Sequence, residues 1–120
     1  MNIIKSYKDL EVWKKGIELV KKVYLITKKF PKEEVYGLTN QMRRAAVSIP
    51  SNIAEGKMRQ HTNEYVQFLY IALGSCGELD TQLIISEQLG YISKQDALSF
   101  ADESDHISRM IRNLIKTIRK

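Results

Sequence analysis

The chain has 120 residues, a single cysteine and a net charge of +5, with 43% apolar and 28% charged residues. That length suits one domain spanning residues 1–120 with a real core, and one cysteine excludes an internal disulfide, which fits a reducing, cytoplasmic compartment. The composition excludes wholesale disorder, and no apolar run reads as a signal-peptide core or approaches the roughly 18 residues of a membrane span, so no membrane partner is expected.

The charge is unevenly spread. Residues 1–32 hold nine Lys or Arg against three Asp or Glu, residues 61–92 hold none against four, and residues 93–120 hold six against four. Positive charge gathers at the two ends of the chain.

The first predicted helix runs from Tyr7 to Phe30 and is stopped by Pro31, because the residue before proline avoids the α region. It carries two apolar rows in 3-4 spacing: Leu10, Trp13, Ile17, Val20 and Tyr24, and Val12, Gly16, Leu19, Val23, Ile26 and Phe30. Together they cover more of the helix than a two-helix seam requires. Either this helix lies deep in its own bundle or its second face meets another subunit. Its polar side holds Lys14-Lys15, Lys21-Lys22 and Lys28-Lys29 at a seven-residue interval, a ladder that Lys8 extends. Glu11 and Glu18 stand four residues before Lys15 and Lys22, the spacing of intrahelical ion pairs.

A second helix is expected to start near Glu33 and Glu34, with the row Val35, Leu38, Met42, Ala45, Ile49 and Ile53 and a stop at Gly56. Pro50 falls inside it. A proline there lacks the N–H for the Ala46 carbonyl and costs about 3 kcal/mol in a helix interior. A true break would need a strong cap before the proline, and Ile49 is a poor one, so a kink in one continuous helix is predicted. Gln41, Arg44, Ser48, Asn52 and Glu55 then line up away from the core, as a solvated face or as an interface row between subunits.

The third helix is predicted from a Thr62 cap to Leu89, closed by Gly90, with Tyr65, Leu69, Ala72, Cys76, Leu79 and Leu83 inward. Within it, "GSCG" at Gly74 to Gly77 costs helix propensity, which close helix approach would offset. That packing reading is preferred to catalysis by Ser75 or Cys76. Ser93 and Asp96 have capping-box spacing for a last helix whose seam reads Ala97, Ala101, Ser104, Ser108, Ile111, Ile115 and Ile118, with Met110 and Leu114 alongside. Arg109, Arg112, Lys116 and Arg119 form an aligned basic row on that helix.

No strand alternation interrupts this pattern, and the connections are short. The expected fold is all-α, an antiparallel up-down-up-down four-helix bundle with a Pro-kinked second helix. In such a ring the first and last helices are neighbours, so their basic rows could merge into one positive surface.

Enzymatic chemistry finds little to work with. Glu103 and His106 have the Glu-x-x-His spacing of di-iron bundles, but His61 has Met58 three residues before it, so no second copy exists and no metal is expected. No nucleophile elbow, P-loop or dinucleotide fingerprint is present, and neither a cofactor nor a catalytic residue is assigned. The lysine ladder at Lys14, Lys15, Lys21, Lys22, Lys28 and Lys29 and the row at Arg109, Arg112, Lys116 and Arg119 are the candidate nucleic-acid surface; the bland alternative is a solubilising face. Aromatic residues do not interleave with these charges along the chain. Binding is therefore expected through phosphates, without base stacking.

The stretches "YKDLEVWKKG" at Tyr7, "FPKEEVYGLTNQMRRAAVSIPSNIAEG" at Phe30, "EYVQFLYIALGSCGEL" at Glu64 and "LGYIS" at Leu89 resemble the 23S ribosomal RNA intervening-sequence protein family. The resemblance implies a kinked antiparallel four-helix bundle that assembles into a homopentamer. It marks Arg43, Arg44, Asn52, Glu55 and Gly56 as family-typical positions, with Ser48 and Pro50 in the same motif, and brings no catalytic residues. A distantly similar group, the accessory proteins of diversity-generating retroelements, forms basic pentamers that bind nucleic acid and a reverse transcriptase. By that analogy, the expected function is a non-enzymatic homo-oligomeric scaffold that contacts RNA or DNA through phosphates, with room for a protein partner. The alternative is a structural or protein-interaction oligomer without nucleic-acid binding.

Overall fold

In the computed structural model, which describes residues 6–119, every regular element is helical. Four helices follow one another: α1 (Glu11–Thr27), α2 (Leu38–Met58), α3 (Thr62–Gln88) and α4 (Lys94–Ile118), with short 3-10 turns at Tyr7–Asp9 and Lys32–Glu34. Each packs on its successor, and α4 returns to α1, closing a ring in which the diagonal helices do not approach closely backbone to backbone. The long dimension of 44 Å is set by α3, whose 27 residues span about 40 Å at 1.5 Å per residue.

The expected all-α bundle is present, with several local departures. The chain before α1 is not one helix with it: Ser6 caps the 3-10 turn in a reciprocal capping box with Asp9, and Leu10 is extended. Helix α2 begins at Leu38, not at the acidic pair. Glu34 instead reaches forward, its Oε1 accepting from the Leu38 N–H at 3.1 Å, and Val35 is exposed. Thr62 is the first residue of α3 rather than its cap; His61 holds the cap position without a side-chain bond. Gly90 does close α3, with φ +81°, the left-handed conformation that favours glycine. Ser93 accepts from the Asp96 N–H at 3.0 Å, which is half of the expected capping box.

Pro50 lies within the unbroken helix α2, buried. Its ring faces Gly16 of α1: a Cβ on Gly16 would stand 3.2 Å from Pro50 Cβ. Gly56 is also interior to α2 rather than its stop, since a Cβ there would meet Phe68 Cβ at 2.9 Å and the Tyr65 carbonyl oxygen at 3.2 Å. The two glycines let α2 approach α1 on one side and α3 on the other.

The core contains Val12, Leu19, Val23 and Phe30 from the first part of the chain, Met42, Ala45, Ala46, Ile49 and Ile53 from α2, and Leu69, Ala72, Cys76, Leu79 and Leu83 from α3. On α4 the buried residues are Phe100, Ser104, Ile107, Ile111 and Ile115; Ala101 is exposed. Of the predicted α4 seam, Ser104, Ile111 and Ile115 are buried and Ala97 packs against the core, but Ala101 is exposed, and Phe100 and Ile107, which the small-residue spacing passed over, hold the core instead.

Candidate nucleic-acid interface

The lysine ladder of α1 faces solvent, but its charges are not equivalent. Lys14 pairs with Glu11 at 3.5 Å, and Lys22 reaches across to Glu103 on α4 at 2.7 Å, a hydrogen bond that raises the Lys22 pKa above its ordinary value. The intrahelical partners expected from spacing, Lys15 for Glu11 and Lys22 for Glu18, are replaced by these. Lys15, Lys21, Lys28 and Lys29 form no ion pair among the described residues.

On α4, Arg109 pairs with Asp105 at 3.1 Å. Arg112, Lys116 and Arg119 frame a cleft of about 400 Å³ with Ile115 and Tyr70, and the Arg119 guanidinium lies 5.7 Å from the Tyr70 ring centre. This row leans toward α3. Where the end of α1 meets the start of α4, a cleft is lined by Lys22 and Lys29 together with Asp96 and Glu103, so that part of the ladder faces acidic residues rather than the α4 basic row. The structure also brings aromatics and cations together across helices, which spacing along the chain could not reveal.

The polar row of α2 does not simply face away from the bundle. Asn52 Nδ2 donates to the Ser48 carbonyl and to Ser48 Oγ, each at 2.8 Å, and Ser75 Oγ of α3 donates to Ser48 Oγ at 2.8 Å. The Ser75–Ser48 bond crosses the α2–α3 crease, while the two Asn52 bonds stay within α2, on Ser48, two residues on from Ala46, whose carbonyl finds no N–H at Pro50. Arg44 and Ser48 line a polar cleft of about 430 Å³ with Asn40, Gln41 and Glu78, while Glu55 pairs with Arg59 at 2.8 Å. Arg43 points the other way: its Nε donates to Thr27 Oγ1 at 2.9 Å, and its guanidinium sits 4.5 Å from the Tyr24 ring centre.

Exposed apolar surface concentrates on α3 rather than on α1. Tyr70, Ile71, Ile84 and Ile85 are exposed along its outer side, and Gly74 and Gly77 between them have nothing within 4 Å of where a Cβ would stand. Close helix approach at "GSCG" is therefore not made within this chain. Ser75 and Cys76 do turn inward, and of the row Leu10, Trp13, Ile17, Val20 and Tyr24, Leu10, Trp13 and Val20 pack against the core while Tyr24 is exposed.

The sequence profile of the family described as 23S rRNA-intervening sequence protein matches residues 8–113. The chain belongs to this family. A crystal structure of a protein of unknown function from the S23 ribosomal protein family, from Bacteroides thetaiotaomicron, shares the fold with a TM-score of 0.78 at 23% sequence identity, over 88% of this chain and 98% of that one. No curated protein matches the chain.

The groups weighed for chemistry in this intervening-sequence protein are buried, paired or exposed singly among the described residues. Burial pushes the Cys76 thiol above its ordinary value, away from the reactive thiolate. Glu103 is engaged by Lys22 and His106 is exposed; among the described residues no group of three or more His, Cys, Asp or Glu is placed to hold a metal ion. Helix α3 is long and apolar enough to cross a membrane by length and composition, but here its inward row forms the centre of the bundle core.

Proposed function

We propose that this protein is a non-enzymatic, cytoplasmic homo-oligomeric scaffold whose basic surface binds RNA or DNA through phosphates. The observation that carries this reading is the state of the ten basic residues on α1 and α4. Lys14, Lys22 and Arg109 have carboxylate partners, while the other seven, Lys15, Lys21, Lys28, Lys29, Arg112, Lys116 and Arg119, have none among the described residues. Uncompensated charge anywhere on the surface would serve solubility, whereas its alignment in rows along two helices suits contact with the regularly spaced phosphates of a nucleic acid.

The oligomer is supported by the outer side of α3, where exposed isoleucines flank two open glycines in a pattern suited to a closely packed second copy. A pentamer, the assembly implied by family resemblance, accommodates this.

The test is binding to structured RNA and to duplex DNA across a salt series, with a variant carrying Lys15, Lys21, Lys28 and Lys29 changed to Glu. Salt-sensitive binding that the folded variant loses is expected, with the duplex salt slope falling by about 0.9 for each phosphate contact removed. No binding of the parent protein at low salt would leave the α3-mediated oligomer as the function and the lysines as solubilising groups.

A further inference from the structure

We infer that the cleft between the end of α1 and the start of α2 holds one nucleotide unit of a single strand, its phosphate on Lys28, Lys32 and Arg43 and its base on Tyr36. This rests on the phosphate-binding reading above and adds to it a contact that a smooth basic surface would not make.

The cleft has a volume of about 510 Å³ and is lined in part by Lys28, Lys32, Tyr36, Thr39, Asn40 and Arg43. That size is ordinary for a small-molecule site. Three of its lining side chains are cationic and none of the lining residues is acidic. Lys28 and Lys32 have no ion-pair partner among the described residues, and the partners of Arg43 are neutral: the Thr27 hydroxyl, the Tyr24 carbonyl and the Tyr24 ring. Arg43 is thus held in place with its charge uncompensated. The anchor is itself fixed, because Thr27 Oγ1 donates to the Val23 carbonyl at 2.7 Å inside α1.

Two further features point to an anion. Thr39 is 5% exposed, lines the cleft, and its Oγ1 is buried without a hydrogen-bond partner. Thr39 and Asn40 are also the second and third residues of α2, so their N–H groups have no acceptor within the helix, and the positive end of its dipole lies at the cleft. The Leu38 N–H is already taken by Glu34.

Tyr36 supplies the other half. It is 94% exposed, so its ring makes almost no packing contact in its own chain, yet it lines this cleft. An aromatic face beside a phosphate site suits an unpaired base; a base inside a duplex cannot be reached in this way. The site ends the α1 ladder at Lys28, so a bound strand would pass from the ladder into the cleft.

The experiment measures fluorescence anisotropy with a labelled oligothymidylate and with a duplex of equal length. It compares the full chain with Tyr36→Ala, Tyr36→Phe and a Lys28→Gln, Lys32→Gln double variant. Tyr36→Ala is expected to weaken strand binding about tenfold, within the range of base–aromatic stacking, and to leave duplex binding unchanged; Tyr36→Phe should stay within about twofold of the parent. The lysine variant should weaken binding of both probes and reduce the strand salt slope by about 1.4. A halouracil-substituted strand should photo-crosslink at Tyr36. Unchanged strand binding by Tyr36→Ala, with duplex binding still salt-sensitive, would overturn the nucleotide cleft and leave the basic surface standing. No binding of either probe at low salt would remove both. A change of assembly mass in Tyr36→Ala would make Tyr36 a subunit contact and overturn the inference as well.

Discussion

Four glycines inside helices fall into two unlike pairs. Gly16 and Gly56 stand where helices press together, on Pro50 and on the Tyr65–Phe68 turn; a methyl group would be tight against Pro50 at the first and would collide with Phe68 at the second. Gly74 and Gly77 stand on the outer side of α3 with open space around them, beside exposed Ile71 and Ile84. Each interior glycine costs a helix roughly 0.5–1 kcal/mol relative to alanine. In the first pair close packing offsets that cost within the chain. In the second pair nothing in the chain does, and that contrast separates a finished seam from a surface made for something else.

Four measurements would break or sharpen this contrast. The largest effect is expected from Ile71→Lys with Ile84→Lys: if a second copy covers α3, burying each isoleucine contributes about 1.5–3 kcal/mol, and the double variant should sediment as a folded monomer. An unchanged mass would remove α3 from the interface. Next, Gly56→Ala should lower stability by about 2 kcal/mol in denaturant unfolding, because the α3 backbone at Tyr65 cannot retreat as a flexible side chain could. A neutral result would mean that the α2–α3 seam is looser than its distances indicate.

Gly74→Ala and Gly77→Ala should act in the opposite direction, each adding about 0.5–1 kcal/mol to the bundle at dilution where any assembly has dissociated. A loss at dilution would show that the outer side of α3 is already occupied within one chain. The smallest effect is expected where the two sides of α3 meet, at Asp80. Burial raises its carboxyl above the ordinary value, the Ser104 hydroxyl pulls against that rise, and Asp105 adds to it. The folded state therefore holds this proton more tightly than the unfolded chain does. Stability from this group is greatest below the unfolded value and falls as pH climbs through the raised folded value. Asp80→Asn should raise the melting temperature at neutral pH, and the gain should vanish in acid; a gain that persists there would assign it to packing.

Much of the fold was legible because strong periodicity survives local error. The rows through Leu19 and Val23, Met42 and Ile49, and Leu69 and Leu79 are buried as their spacing requires, and Pro50 sits in a continuous helix. Legibility failed where a residue type has two uses. Glycine in "GSCG" signalled approach but faces open space, and Gly56 signalled a stop but allows approach. In α4, alanines and serines blurred the period, so Phe100 and Ile107 went unassigned to the core. The basic rows could be read from spacing, but Lys22 pairing with Glu103 and Tyr70 meeting Arg119 could not, because each joins elements distant in sequence. Tyr36 gave no signal, because the spacing placed it inside the predicted second helix, whereas α2 begins at Leu38 and leaves it in the connection.

The ring of packing also has a consequence in time. Because α1 packs on α2, α2 on α3 and α3 on α4, three seams join consecutive segments and only the α1–α4 seam joins the two ends of the chain. Local contacts are entropically cheap to close and the last seam is not. Helices α2 and α3, with the most extensive pairing, are expected to form the folding nucleus, and α1 to dock on α4 late, where the Lys22–Glu103 bridge lies at the surface. Substitutions at that bridge should then speed unfolding and leave the folding rate almost unchanged, a pattern that stopped-flow kinetics can read directly.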